Sequence, residues 1–594
     1  MGGRLPVWLT LCVAASAVGC GDDEESAPIC ADAAAVPVFP SPTWEQEGAL
    51  SPPDGDRAAA IIAASRPEWL AQLGRVDGWS RLPEIVVPLS TAASAGDAER
   101  IRVMAAAGGE WHTQTGVFDV EVAGEPPSLI LRPQAPLAPG FDDVIVVLEP
   151  GVATGATALP TCGPDGAEHP AYADARQAVA STGAVEVALP LRLATISVQL
   201  RSLGTALAAS PALAVESVEA RSLDAFGEQA PPAEVAAVLA PTAAKGILAL
   251  PDYRSDDGTF ESGPDGLPVV ADTTRPGFIV ALPASGSPPH PVVLFQHGGS
   301  QDKADFFQLA QPLAEAGFAF VAIDLPAHGD RADTGHGSDL DFFSFDDPLW
   351  TRGNFRQAVA DHLAVLTGFA ALNQALEPVL GVADALDPTR AFYMGLSLGG
   401  VSGSMTFATA PDLRAGALFV AGAGYSDIVT FGLFSVLVFD LINLPPVEST
   451  LLLGTAQTLL DGADPGAYGQ HVEDRDRPPR PALFMQASDE TIMLMSANDR
   501  LARAYGADLA LPRHHEVPGL AELSLPAADN FTWEGGSEAA TRLLVHHPMA
   551  EVPPAERHGA LITLPYAQQM VAHCFATLLS DDSCEVIDTD FADH

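Results

Sequence analysis

Lysine is almost missing from this chain. Its 594 residues hold two, Lys245 and Lys303, and Lys plus Arg total 29 against 76 Asp plus Glu, a formal net charge of −47. A surface this acidic repels phosphate backbones, which argues against nucleic acid as a partner and suits solubility outside the cell. The apolar runs Leu5–Val18 and Phe431–Leu444 are too short to cross a membrane. Cysteine is scarce as well, and none of the six has zinc-finger spacing. Histidines occur as the adjacent pairs His514–His515 and His546–His547 in strand-like runs. Neighbours on a strand point to opposite faces, so neither pair makes a two-histidine metal site. The polar stretch Ala327–Asp339 matches no calcium-ligand spacing. We therefore expect no metal and no cofactor.

What the chain does have is Gly395-Leu396-Ser397-Leu398-Gly399, set between two contrasting runs. Arg390–Met394, short and apolar, reads as a buried strand, and the small-residue run from Gly400 reads as a helix. A serine at such a strand-to-helix turn sits on strained backbone, and glycines flank it because a Cβ would clash there. The turn lifts the hydroxyl out of the sheet and leaves the Leu398 amide at a helix N-terminus, where it can stabilise an oxyanion.

A second apolar strand, His290–Gln296, ends in His297-Gly298-Gly299. A helix (Asp305–Ala316) and another strand (Phe318–Ile323) follow, the strand–helix–strand order of a doubly wound parallel sheet. Both glycine turns fall at strand C-termini, so Gly299 is the expected second oxyanion donor. A serine nucleophile needs a base and an orienting acid, in the order Ser, acid, His for this arrangement. The strand-like run Pro481–Gln486 leads to Asp489, the expected acid, with Glu490 beside it and Asp427 further off as rivals. His558, in a polar turn before a helix at Tyr566–Leu579, is the expected base, with His547 and His515 as rivals.

With these residues in place the chain resembles the α/β-hydrolase superfamily. Gln296–Lys303, Ala322–Gly329 and Gly353–Asp361 are similar to segments of bacterial extracellular lipases, a group that includes surface lysophospholipases. Val76–Ser80 with Ile85–Leu89, and Leu131–Leu137, are similar to the N-terminal β domain of that group. The resemblance spans about residues 65 to 575 and implies a serine hydrolase acting on lipid or other acyl esters. Leu396 departs from the histidine or other polar residue those lipases often carry at the elbow, which bears on lipid specificity. A peptidase or polyester depolymerase on the same triad, and a non-catalytic surface-binding protein, are the alternatives.

Residues 1–19 read as an export signal, and Ala17-Val18-Gly19-Cys20 resembles a lipobox with Cys20 as the lipidated residue. That implies a bacterial cell-envelope lipoprotein held to the membrane by its N-terminal lipid, with plain secretion the alternative. Four cysteines then remain, Cys30, Cys162, Cys574 and Cys584, enough for two disulfides in an oxidising compartment. Domain location favours Cys30–Cys162 and Cys574–Cys584 among the three connectivities.

The expected organisation is a linker over 20–65, an all-β Ig-like sandwich over 66–225, a connector over 226–270 and the α/β domain over 271–594. An apolar insertion at about 425–478 is either a cap over Ser397 or one more core helix.

Overall fold

The alternating apolar runs between residues 85 and 192 pair into two antiparallel sheets in the computed structural model. It describes residues 39–588 apart from 47–48, 89–99, 108–109, 116–117, 125–126, 139–140, 150–151, 153–169, 181–186, 333–338, 345, 432–442, 474–476 and 533–535. The strands are β1 (Ile85–Pro88), β2 (Ile101–Ala107), β3 (Glu110–Thr115), β4 (Phe118–Ala123), β5 (Ser128–Pro133), β6 (Asp143–Leu148) and β7 (Val187–Arg192). One sheet runs β1-β5-β4 and the other β3-β2-β6-β7. Val86, Val103, Leu129, Leu131, Val144, Val146 and Leu189 share one buried cluster between them. Helices Arg57–Ser65, Pro67–Leu73 and Pro170–Val179 accompany these strands, so the region is mixed rather than all-β.

A third, larger sheet positions the chemistry. Its strands are β8 (Ala214–Ser222), β9 (Thr242–Asp252), β10 (Asp272–Thr274), β11 (Gly277–Ala281), β12 (His290–Gln296), β13 (Ala319–Ile323), β14 (Leu386–Leu396), β15 (Leu413–Phe419), β16 (Ala482–Ala487), β17 (Asp508–Leu511), β18 (Glu522–Ser524) and β19 (Arg542–His547). They lie in the order β8-β9-β11-β13-β12-β14-β15-β16-β19-β17-β18, with β10 paired to β9. Pairing is antiparallel from β8 through β13 and parallel from there to the far edge. The sheet thus begins at Ala214, well before the expected start near 271. The strands β8 and β9 account for the difference. Most of β8 is exposed or half-buried, so it lacks the apolar signal of a core strand.

The packing helices are α1 (Ser197–Ala209), α2 (Pro348–Thr367), α3 (Leu398–Thr409), α4 (Pro446–Leu460), α5 (Met495–Ala504), α6 (Pro554–Ala560) and α7 (Pro565–Ser580). Alternate strand residues face opposite layers. Val292, Leu294 and Tyr393 pack with α1, α2 and α3, while Val293, Phe295, Phe392 and Met394 pack with α7. A sheet apolar on both faces needs helices on both, which is the doubly wound arrangement.

Of the expected cap insertion, 432–442 lies outside the described residues. The described helix α4 is buried, and its Leu451, Leu452 and Leu459 join the core of the N-terminal sheets. Cys574 and Cys584 form the expected disulfide, whereas Cys20, Cys30 and Cys162 lie outside the described residues. Among the described residues no single helix is long and apolar enough to cross a membrane.

Candidate active site

Ser397 stands between β14 and α3 with φ 52° and ψ −114°. Left-handed backbone of this kind costs a non-glycine residue about 1–3 kcal/mol and is retained where surrounding structure imposes it. Here the constraint is close packing on both sides. A Cβ on Gly395 would overlap the Gly399 carbonyl, and one on Gly399 would overlap the carbonyls of Gln296 and His297. Gly399→Ala is therefore expected to lower stability by about 1–3 kcal/mol through overpacking against β12. It should also slow hydrolysis, because the displaced carbonyls lead directly into the Gly298–Gly299 turn that packs against Ser397. A variant with unchanged urea midpoint and activity would contradict this packing.

The loop after β12 comes equally close. A Cβ on Gly298 would lie 3.2 Å from the Ser397 Cβ, while Gly299 has open space around it. His297 is fully buried, and its Nδ1–H donates to the Gly298 carbonyl at 2.7 Å while its Nε2 accepts from the Leu325 amide at 3.1 Å. Burial, with the nearby His328, holds its pKa well below the usual histidine range, so the ring stays neutral. In a trans peptide the N–H points opposite to the C=O. Fixing the Gly298 carbonyl therefore fixes the direction of the Gly299 N–H. Neither the Gly299 nor the Leu398 amide donates to a described residue, so both are available to a ligand oxygen.

Two strands away, the loop after β16 carries Asp489 and Glu490. Ser397 N donates to the Phe419 carbonyl, Val420 N to that of Met485, and Ser488 N to that of His547. The C-terminal ends of β14, β15, β16 and β19 are thus level. At about 4.8 Å per strand, Ser397 and the β16 loop stand about 10 Å apart laterally, a gap that a histidine side chain bridges.

The side chain that meets histidine is Glu490. Its carboxylate, 0% exposed, accepts from His558 Nδ1 at 3.0 Å through Oε1 and from the Ile492 amide at 2.7 Å through Oε2. The bond to Glu490 uses Nδ1 of His558 and leaves its Nε2 out of that pair. Asp489 points elsewhere: it is 57% exposed, with His514 Nε2 at 3.1 Å and Arg557 Nη1 at 3.6 Å. The expectation of Asp489 on the histidine is corrected to Glu490. Asp489 takes the positive-φ position of the turn (φ 55°), and the next residue is turned inward. His558 itself sits in the short helix α6 rather than in a turn. Arg557 ties that helix to the acid loop, donating to the carbonyls of Val552 (2.8 Å), Ser488 (3.0 Å) and Asp489 (3.4 Å).

The sheet order, a serine elbow after β14 and the Glu490–His558 pair at the same rim identify the architecture, and residues 291–437 match the family model of the alpha/beta hydrolase fold. The fold is that of an alpha/beta hydrolase. Solved structures similar to the chain include acetyl xylan esterase 1 from Thermoanaerobacterium sp. JW/SL YS485, with 13% identity and TM-score 0.31 over 60% of this chain and 89% of that one. A rice cell wall degrading esterase from Xanthomonas oryzae shows 11% identity and TM-score 0.33 over 62% and 97%. Acetyl xylan esterase from Paenibacillus sp. R4 shows 14% and 0.32 over 55% and 86%. No curated protein sequence matches the chain.

The remaining candidates of the hydrolase fold have other partners. Asp427 pairs with the buried Arg500 at 2.9 Å. His547 is buried beneath the ring of Tyr566, and burial pulls its pKa to about 3. His515 faces Asp499 at 2.7 Å. One member of each histidine pair does come together with that acid: the ligand atoms of Asp499, His515 and His546 lie within 4.8 Å of one another. The His514 amide donates to His546 Nδ1 at 3.0 Å, however, which puts the neutral ring's proton on Nε2. That ring then has no lone pair to offer the group, so the trio reads as a packed polar cluster.

Sequence reasoning missed the supports of the loops. Lys303 Nζ, buried, bridges Asp324 at 2.7 Å and Asp330 at 2.8 Å. Arg331 meets the buried Asp361 at 2.6 Å, and His362 bridges Gln296 and Thr406, each at 2.8 Å. Apart from Thr406, which is in α3, these residues lie in or beside the three segments singled out as family-like, and their ion pairs and hydrogen bonds brace the strand ends that lead into the Gly298–Gly299 turn.

Proposed function

We propose that the protein is a serine hydrolase that cleaves carboxylic esters through an acyl-enzyme, with Ser397 as nucleophile, His558 as general base and Glu490 as the orienting acid. Ser397 Oγ attacks the ester carbonyl while His558 Nε2 takes its proton, and the Glu490 carboxylate stabilises the imidazolium. The amides of Gly299 and Leu398 receive the oxyanion. His558 then protonates the leaving alcohol, and water repeats the sequence on the acyl-enzyme. The observation that carries this reading is the strained Ser397 elbow, level with a buried Glu490–His558 pair.

The same proposal takes a lipid or other acyl ester as substrate, on the sequence resemblance to extracellular lipases. It takes the N-terminal sheets as an Ig-like accessory domain, and Cys20 as the lipid attachment of an exported envelope protein. A fluorophosphonate probe is expected to label Ser397 alone, as read by peptide mass. In parallel, p-nitrophenyl esters of increasing chain length should be turned over where peptide and polymer substrates are not. Absence of labelling in folded protein would leave a binding role for the fold. Labelling with turnover of peptides alone would make it a peptidase.

A further inference from the structure

Helix α2 carries two arginines one turn apart, Arg352 and Arg356, only 4% and 1% exposed. Buried arginines are normally paired with carboxylates, because removing an unpaired charge from water is expensive. Acids outnumber bases 76 to 29 in this chain, yet no described carboxylate lies within ion-pair distance of either guanidinium. Among the described residues, Arg352 donates once, from Nη1 to the Leu459 carbonyl at 3.3 Å. Arg356 donates to Gln199 and lies 4.3 Å from the Phe260 ring centroid, while its Nε has no partner. A guanidinium has five N–H donors, so most of those on Arg352 are unused. Burial, followed by the charges of Arg356 and Arg75, pulls Arg352 down to about 9.

Arg352 lines a groove of 640 Å³ between the N-terminal region and α2. The first turn of α1 lines it too, through Ile196, Val198 and Gln199. This helix is 13 residues long and its N-terminus has no side-chain cap. Its positive dipole end therefore opens on the groove that holds the unpaired arginine. Two acids, Asp77 and Glu261, line the groove as well, though neither reaches ion-pair distance of Arg352. Asp77 accepts from the Thr195 amide and hydroxyl, Asp257 pairs with Arg75 at 2.6 Å, and Glu261 is exposed at the rim.

We propose that this groove binds a phosphate-type oxyanion, held by the Arg352 guanidinium and the N-terminus of α1, with Arg75 at the rim. A tetrahedral oxyanion supplies several acceptors, which suits a guanidinium fork beside helix amides. Its source is either free phosphate or the phosphodiester of a lipid headgroup. Because the groove draws on the N-terminal segment, α1 and α2, the bound anion would tie the N-terminal region to the catalytic sheet.

The test is calorimetric titration of the full chain with inorganic phosphate at constant ionic strength, alongside thermal melts in phosphate and in chloride. Wild-type protein should bind saturably and melt higher in phosphate, and Arg352→Gln should abolish both effects. In chloride Arg352→Gln should melt no lower than wild type, because it removes a buried charge that has no partner. Arg75→Gln, at the exposed rim, should weaken binding several-fold and serves if Arg352→Gln fails to fold. Sedimentation with phosphatidylglycerol vesicles separates the sources. Arg352-dependent sedimentation that inorganic phosphate competes away assigns the headgroup, and a phosphate isotherm without sedimentation assigns the free ion. The proposal is overturned if neither phosphate nor vesicles bind, if binding survives both substitutions, or if Arg352→Gln is destabilised equally in both buffers.

Discussion

Ser397→Ala is expected to lower kcat on a short acyl ester by about 10⁶-fold, the loss typical of removing a nucleophile from a working triad. Its melting temperature should stay close to wild type. The hydroxyl makes no hydrogen bond to a described residue, and the backbone bond from Ser397 N to the Phe419 carbonyl is untouched by the change. The two measurements belong together. Lost turnover in protein that melts normally assigns the chemistry to the hydroxyl, whereas near-wild-type turnover would remove Ser397 from the mechanism altogether.

Glu490→Gln should be the next most damaging change, costing about 10⁴-fold in kcat, because an amide facing His558 Nδ1 favours the wrong imidazole tautomer. The adjacent Asp489→Asn is the internal control. Asp489 is 57% exposed and pairs with His514 and Arg557 at the surface, where such contacts are worth at most about 1 kcal/mol, roughly fivefold in rate. If Asp489→Asn proved the worse of the two, the acid would have to be reassigned to it and the loop after β16 would close differently on substrate.

That pair of residues marks where reading the sequence runs out. The elbow was legible because its glycines sit between a strand pattern and a helix pattern, and both periodicities are local. The glycine turn after β12 was legible for the same reason. Asp489 and Glu490 are consecutive at a strand end, and nothing local says which one turns inward. The choice is made by the positive-φ turn at Asp489 and by the Arg557 clamp, and Arg557 lies 67 positions along the chain from Glu490. The start of the large sheet was illegible for another reason. An edge ribbon such as β8 alternates weakly, with Glu216, Glu219 and Arg221 interrupting its small and apolar residues and none of its nine residues buried. The charges of Arg352 and Arg356 were visible in sequence, but their lack of carboxylate partners is a property of the assembled fold alone.

The seam between α4 and the N-terminal sheets bears on how such a protein can be cut and recombined. Leu451, Leu452 and Leu459 belong to an insertion of the catalytic half, yet they are buried in the same cluster as Val86 and Leu131. A fragment trimmed to the catalytic sheet would carry this leucine flank into solvent, an apolar patch that promotes aggregation. The two halves are therefore poor candidates for domain shuffling. Grafting this catalytic unit onto another carrier would require α4 to be resurfaced first, with polar residues at the three leucines.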